Sequence, residues 1–559
     1  MDKKKQIFLV FIISAALFFS VNILLSLNVL AAEAEMIEKE VVVFSAEPEG
    51  IAAAIAAARE GKEVMLILTR EKPGGLMTYA ALNFLDLNYD QNSNNINHGI
   101  FAEWHQKIGG GISFSPQKAE NVFLELLNKE KKITMINSAV LDSVYSEQGE
   151  IKYIILKKDD KLFKINSDIF IDASQDGDLA KTAGEDYFIG TADMNLKYSW
   201  MASTQILKFA KVEPDKLKKA VRENRYQASY FRNDHAWGFS NFGKAYQSQN
   251  KDMRLRGLNI VFIENENTHD AYINALLIFN VNPLAEESLN KAKAAAKVEA
   301  ENILDYLNSN LAGFSEAELA ELPAELYKRE SRHFLTAYQL KIQDLFRQKI
   351  FSDTITIASY PLDYQAADHD YPGFVLFNPE YYGVPLRTLT ARKNENLLIV
   401  GRSSGYSSLA AASARVLPVG MNTGEAAGLA AAEALDKKLS LAQIAQNKDS
   451  IAKVQSKLEI ELDKYAPENP IVKDPELLKA LENLLSWGIT IGGYNNNFKL
   501  DQRPNEKEFT AVVLKIMQKK EAKNLYEWVP GSLETLSKDR KLTTTNALKL
   551  LLAAESQRV

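Results

Sequence analysis

The sequence runs to 559 residues, enough for about three domains, and its 46% hydrophobic and 25% charged content is that of an ordinary globular protein with a sizeable core. Its 66 lysines and arginines against 72 aspartates and glutamates leave a net charge of -6, which argues against nucleic acid as a partner. The absence of cysteine excludes disulfides, thiolate nucleophiles, cysteine-ligated zinc, iron–sulfur clusters and a lipid anchor on an N-terminal cysteine.

Lys3, Lys4 and Lys5 precede a run from residue 7 to 32 without a charge. Val29 and Ala31 occupy the small-residue positions of a cleavage site, and acidic Glu33 follows. This pattern predicts a secretory signal peptide over residues 1–31. The alternative is an uncleaved anchor, because the apolar run is long enough to span a bilayer, and only then is the membrane a partner. Either way the body is expected outside the cytoplasm, extracellular or at the cell surface. No twin-arginine pair is present, so the chain is expected to cross unfolded and to acquire any cofactor outside.

Further along, residues 40–44 form an apolar strand, 45–50 a turn, 51–60 an Ala-rich helix stopped by Gly61, and 64–68 a second apolar strand. This is a βαβ unit of a parallel sheet covered on both faces. Residues 83–111 are loop-rich with Asn clusters, 116–130 predict a helix, and 133–141 and 151–163 alternate like strands. Residues 168–174 are apolar and run into Gln175-Asp-Gly-Asp178. The stretch 191–382 is mixed, with a long helix at 289–308 and a β-like segment at 354–360. A buried strand at 396–400 precedes an Ala-rich helix at 409–435, with Gly424 and Gly428 at helical spacing. Residues 465–470 suggest a linker, and 475–486, 506–519 and 543–554 amphipathic helices. Strands alternating with helices mean an α/β fold.

A dinucleotide-binding βαβ unit carries G-x-G-x-x-G in its first turn and an acidic residue at the end of the second strand. Those positions here hold Ser45, Glu47, Gly50 and Leu68. Glu47 would set a carboxylate near a diphosphate, which weakens binding unless it points away or is paired.

Five stretches in order carry a resemblance: residues 44–59; Gly74-Gly-Leu-Met-Thr78; Ile171-Asp-Ala-Ser-Gln-Asp-Gly-Asp-Leu-Ala180; Arg329-Glu-Ser-Arg332 with Tyr360-Pro-Leu-Asp363 and Val384-Pro-Leu-Arg387; and Asn396-Leu-Leu-Ile-Val-Gly-Arg402 through Ala414-Arg-Val-Leu-Pro418 to Thr423-Gly-Glu-Ala-Ala-Gly428. Together they resemble bacterial FAD-dependent oxidoreductases of the glutathione-reductase-like superfamily, from about residue 41 to 435. The resemblance implies a Rossmann-type FAD-binding domain in two parts, 38–190 and 385–440, an inserted α+β substrate domain, 191–384, and a linker helix, 441–465. It implies FAD as cofactor and a small-molecule substrate. Gly50 and the following helix would face the FAD pyrophosphate, beside Ser45 and Glu47. Gly74, Gly75 and Thr78 would line the flavin side. Ser174, Asp176, Gly177 and Asp178 would pack near the adenosine half. Gly401 and Arg402 would sit by the pyrophosphate and ribityl chain. A helix start at Asn422 and Thr423 would aim its partial positive charge at the isoalloxazine. Ser45, Glu47, Leu68, Gln175 and Ser408 depart from the family's pattern, Ser408 standing where many relatives carry histidine.

Arg332 and Arg387 are candidates to clamp an anionic substrate or, alternatively, to form structural salt bridges. The six histidines, His98, His105, His235, His269, His333 and His369, form no metal-spaced pair, and Asp176 with Asp178 lacks a third ligand, so no metal is expected. No catalytic base is assigned. Residues 466–559 form a small helical module: Trp487-Gly488-Ile489, Gly492-Gly-Tyr494, Phe498 and the helix led by Glu506 and Glu508-Phe509 resemble one S-layer homology repeat, which implies a cell-wall polymer as partner. The alternatives to an enzyme are a cofactor-free surface protein on a degenerate flavoprotein fold, and a wall-anchored protein whose C-terminal module carries the function.

Overall fold

The computed structural model describes residues 34–194, 200–265, 268–369, 373–486 and 491–499. The signal segment, Trp487 to Ile489 and the helices expected at 506–519 and 543–554 lie outside the described residues. Among the described residues no helix is long and apolar enough to cross a membrane.

Strand β1 (Glu35–Phe44) begins ahead of the apolar run, because its charged first half lies on the solvent side of a ladder while residues 41–44 are buried. Helix α1 (Pro48–Arg59) has proline in its first turn, where the missing N–H is harmless, and buries nearly its whole length. Strand β2 (Val64–Ile67) pairs parallel with β1 and completes the βαβ unit. Helices α2 (Gly99–Ile108) and α3 (Pro116–Lys129) lead to β3 (Ile133–Ile136), parallel to β2. A meander follows: β4 (Val140–Glu147), β5 (Glu150–Lys158) and β6 (Lys161–Asp172). The last strand also pairs parallel with β1, giving the order β3-β2-β1-β6-β5-β4.

The inserted region is an antiparallel sheet that its mixed periodicity did not reveal. It comprises β7 (Ser203–Val212), β8 (Ser229–Arg232), β9 (His235–Gly238), β10 (Met253–Asn265) and β11 (Thr268–Ile278). Helix α4 (Glu286–Asn310) backs it, burying Ala292, Ala296, Ala300, Ile303 and Leu307 on one stripe, and β12 (Glu318–Leu319) closes one edge. The order is β12-β7-β11-β10-β9-β8. Two ladders are irregular, β10 with β11 between Leu255 and Asn259, and β11 with β7 between Ile273 and Leu276.

The chain returns through β13 (Thr354–Ala358), paired with β14 (Tyr382–Pro385), and β15 (Leu397–Ile399), which takes the free edge of β6 at residues 170–172. The Ala-rich stretch is two helices, α5 (Ser408–Ala414) and α6 (Leu417–Lys437), and Pro418 gives the second its own N-terminus. Helix α6 packs on α1 at backbone distance. A Cβ at Gly424 would lie 2.1 Å from the Glu49 carbonyl oxygen, and one at Gly428 2.3 Å from that of Ala53. Only glycine permits that approach, which accounts for the spacing seen in the sequence.

Helices α7 (Leu441–Gln446) and α8 (Lys448–Lys457) follow. The stretch expected to be a linker runs against residues 346–350, with Ile350 N–H donating to Pro467 O (2.8 Å) and Asn469 N–H to Arg347 O (2.9 Å). Helix α9 (Pro475–Ser486) packs Leu478, Leu481 and Leu485 into the core, and Arg347 pairs with Glu482. The described start of the C-terminal module is therefore docked on the body.

Candidate active site

The first turn follows from its backbone. Ser45 has φ 80°, the left-handed region that favours glycine, so serine occupies the motif's first glycine position under strain. At Gly50 a Cβ would lie 2.1 Å from Ser45 O and 2.8 Å from Ala173 Cβ, so the surviving glycine is the one the turn requires.

Glu47 is buried and its charge is answered within the chain. It pairs with Arg70 (2.8 Å), accepts the Leu76 N–H (3.0 Å) and accepts from Gln175 Nε2 (3.1 Å). Arg70 is also held by Glu325. A Cβ on Gly75 would sit 2.0 Å from Glu47 Oε2, so Gly75 is what lets this carboxylate reach Leu76. The Gly74–Gly75 loop thus wraps Glu47, and Thr78 closes the loop by donating to Pro73 O (3.1 Å). Arg70, two residues beyond Leu68, is the partner that sequence reasoning missed. Glu49 lies between Gly401 and Gly420, and burial, then the charge of Glu47, push its carboxyl up to about 7 against the pull of Arg402.

At the end of β6, Asp172 accepts from the Ser174 N–H (2.9 Å), the Ser174 hydroxyl (2.7 Å) and the Ala180 N–H (2.8 Å), which fixes the turn. The Asp178 N–H donates to Ser174 Oγ (2.7 Å). Asp176 pairs with Lys328, and although burial opposes ionisation, Lys328 and Arg402 hold its carboxyl below the usual range. Gly177 adopts φ 64° with the Phe334 ring against it. Arg332 donates to Asp176 O (2.7 Å) and Asp178 Oδ1 (2.9 Å), tying this turn together. Arg387 makes a two-pronged pair with Asp353 (2.9 and 3.0 Å). Both arginine candidates from the sequence are thus bound to carboxylates of this chain. Among the described residues no group of three or more His, Asp or Glu is placed to hold a metal ion.

Gly401 (φ 81°) and Arg402 follow β15. The Arg402 Nε and Nη2 atoms are buried and have no hydrogen-bond partner among the described residues. Ser403 donates to Gln175 O (3.0 Å), joining this turn to the one after β6. Helix α6 starts at Leu417, not at Asn422 and Thr423 as expected, because Pro418 sets its first turn; these two residues sit one turn in, where Thr423 donates to Gly420 O (2.8 Å) and Asn422 Nδ2 lies 3.3 Å from His98 Nε2 and donates to Thr356 Oγ1 (3.3 Å). Asn422 Oδ1 and His98 Nδ1 are buried and unpartnered, and burial pushes the imidazole down to about 4, so it is neutral. Ser408 donates to Asp193 Oδ1 (2.7 Å), a capping contact.

Between the two sheets lies a cleft with about 800 Å³ of empty space, part of it open to solvent. Leu76 and Arg402, which line it, follow the carboxyl ends of β2 and β15, where ligands bind in α/β sheets. Leu82, Phe84 and Leu417 add an apolar wall. Opposite stand Arg256 and Asn274 from the antiparallel sheet, then Tyr327, Arg329 and Arg415. Arg415 donates to the Tyr327 hydroxyl (2.9 Å), and Arg329 lies 4.2 Å over the Tyr327 ring. Burial alone would raise the Tyr327 phenol, but Arg415 and Arg329 outweigh it and hold it below the usual range. Asp86 is pushed up to about 6 by burial and by Asp363. Of these cleft residues, Leu76, Arg329, Tyr360, Asp363, Arg402, Arg415 and Leu417 fall in stretches the sequence singled out, whereas Leu82, Phe84, Asp86, Arg256, Asn274 and Tyr327 do not.

The flavin dinucleotide implied by the sequence fits these residues. Orphaned guanidinium donors of Arg402 lie beside a glycine-tight first turn, and Glu47, the carboxylate at the motif's second glycine position, is neutralised by Arg70.

No curated protein matches the chain. Solved structures resemble it loosely. A geranylgeranyl bacteriochlorophyll reductase-like protein from Thermoplasma acidophilum is 11% identical, with 94% of this chain and 97% of that one covered and a TM-score of 0.36. The p-nitrophenol 4-monooxygenase PnpA from Pseudomonas putida DLL-E4 is 11% identical (81% and 94% covered, TM-score 0.35), and the flavin-dependent brominase Bmp2 is 9% identical (81% and 94% covered, TM-score 0.38). The profile of the family described as FAD dependent oxidoreductase matches residues 40–458, well over half of the chain, and the protein therefore belongs to that family: it is an FAD-dependent oxidoreductase of mixed α/β fold.

Proposed function

We propose that this oxidoreductase is exported and acts on a small organic substrate held in the cleft between its two sheets. The observation that carries the reading is the cleft itself: it opens at the carboxyl ends of the parallel strands, has an apolar wall, and presents buried arginine donors without partners. When bound, FAD supplies the hydride or two-electron exchange. Arg402 and the start of α1 hold the diphosphate. Leu82, Phe84 and Leu417 keep water from the reacting face. Tyr327, a neutral phenol made more acidic by Arg415 and Arg329, gives or takes a proton at its hydroxyl oxygen.

The Lys3–Lys5 cluster, the uncharged run and the small-residue exit support export. The repeat-like C-terminal pattern supports contact with a cell-wall polymer. Anaerobic mixing of the FAD-loaded protein with a panel of small acids, alcohols and amines tests the activity. Bleaching of the flavin band by at least one is expected, and a band bleached by none of them contradicts it.

A further inference from the structure

Ion pairing is complete at three arginines near the two sheets. Arg70 reaches Glu47 and Glu325, Arg332 reaches Asp178, and Arg387 reaches Asp353. Three arginines of the cleft differ, because each spends its hydrogen bonds on neutral groups. Arg256 donates to Asn274 Oδ1 (3.2 Å). Arg329 donates to Ala202 O (2.7 Å) and Thr204 Oγ1 (2.8 Å). Arg415 donates to the Tyr327 hydroxyl (2.9 Å). The Nε atoms of Arg256 and Arg415 are buried and find no hydrogen-bond acceptor among the described residues. Buried cations hydrogen-bonded to neutral partners keep their full charge, and Asp86 and Asp363, the carboxylates that share the cleft, offset the three of them only in part.

The backbone is bent to produce this arrangement. Arg256 lies in the irregular stretch where the β10–β11 ladder breaks between Leu255 and Asn259, and Asn274, paired with Asn259 at the end of that stretch, lies within a second break, of the β11–β7 ladder between Ile273 and Leu276. Gly257 beside it has no room for a side chain, since a Cβ would lie 2.5 Å from Gly238 O. Bulges next to active sites re-aim a side chain, and this one delivers a guanidinium to the cleft.

We propose, resting on the reading of the cleft as the substrate site, that Arg256, Arg329 and Arg415 form an anion-binding face that takes the carboxylate of a small organic acid. The charge census sets the class. With Arg402 assigned to the cofactor and Lys328 paired with Asp176, three guanidiniums face two carboxylates, Asp86 and Asp363, which leaves one positive charge for a monoanion. Asp86 and Asp363 repel a second anionic group. The apolar wall of Leu82, Phe84 and Leu417 asks for a hydrocarbon body, which inorganic phosphate lacks. The fork of a guanidinium matches a planar carboxylate.

The test is calorimetric titration of the FAD-loaded full chain with isovalerate, its neutral amide isovaleramide, and inorganic phosphate, with flavin content read separately from the visible spectrum. Isovalerate is expected to bind at least about tenfold more tightly than the amide, and more tightly than phosphate. Arg256→Gln is expected to weaken isovalerate about tenfold or more while leaving the amide unchanged, and Arg256→Lys to fall between. Equal binding of acid and amide, no binding of isovalerate, or tighter binding of phosphate overturns the inference. The wild-type comparison stands even where a variant fails to fold. If the acid is preferred but no compound bleaches the flavin, the oxidoreductase reading of the cleft fails and the anion face stands. If a neutral compound bleaches the flavin and isovalerate does not bind, the reverse holds.

Discussion

The first turn of the parallel sheet and the cleft beside it hold the same kinds of charged residue and treat them in opposite ways. At the turn, Glu47 is met by Arg70, by a backbone N–H and by Gln175, and Arg70 is met again by Glu325. In the cleft, Arg256, Arg329 and Arg415 rest on an amide, a carbonyl with a hydroxyl, and a phenol. The difference separates structure from function. A charge closed off by its own chain stabilises the fold, whereas a charge left on neutral partners is available to a ligand.

The sharpest way to break the comparison is within the turn. Gly50→Ala places a Cβ 2.1 Å from Ser45 O, so the turn must move. A loss of about 1–3 kcal/mol in unfolding free energy and of most bound flavin is expected, read by denaturant titration and by absorbance. Arg70→Ala leaves buried Glu47 unpaired and is expected to cost about 3 kcal/mol, with Glu47→Gln in the same chain restoring part of it. A double-mutant cycle that shows no coupling would mean the pair does not close the charge.

On the cleft side, Tyr327→Phe is expected to lower kcat by about 100-fold with flavin content unchanged, measured on whichever substrate bleaches the flavin. The pH dependence has a definite sign. Glu49, with its carboxyl pushed up to about 7 in the fold, favours the protonated form, so any stability it contributes is present at low pH and is lost as pH rises through about 7. Ionised Glu49, whose charged neighbours are Glu47 and Arg402, would also repel a diphosphate held at the start of α1. Flavin affinity is therefore expected to fall by up to about tenfold across that range in a fluorescence titration, and Glu49→Gln to flatten the profile. The smallest effect on turnover is expected at Arg387→Gln, which takes the two-pronged partner from the buried Asp353 carboxylate: about 2–3 kcal/mol in stability but less than a twofold change in KM. A large KM effect there would return Arg387 to the substrate site.

Much of the parallel sheet was legible in sequence, because apolar runs at residues 41–44 and 64–67 and the Ala-rich helix between them are local patterns. The close packing of α6 on α1 was legible from Gly424 and Gly428. The antiparallel sheet was not, since its strands carry Arg256, Asn259 and Asn274 toward the cleft and two ladder irregularities interrupt their alternation. The partner of Glu47 was hidden because Arg70 meets it only through the fold, and so was the fate of Arg332 and Arg387, whose carboxylates lie far along the chain. The repeat-like C-terminal pattern lies mostly outside the described residues, although α9 and Phe498 pack against the body.

The account stands most directly on flavin. Visible absorption of the purified protein, residues 32–559, with and without added FAD, tests it in one measurement. Stoichiometric flavin bands are the predicted result. A well-folded, colourless protein that ignores added FAD would contradict the placement of the cofactor at Gly50 and Arg402, and with it the reading of the cleft.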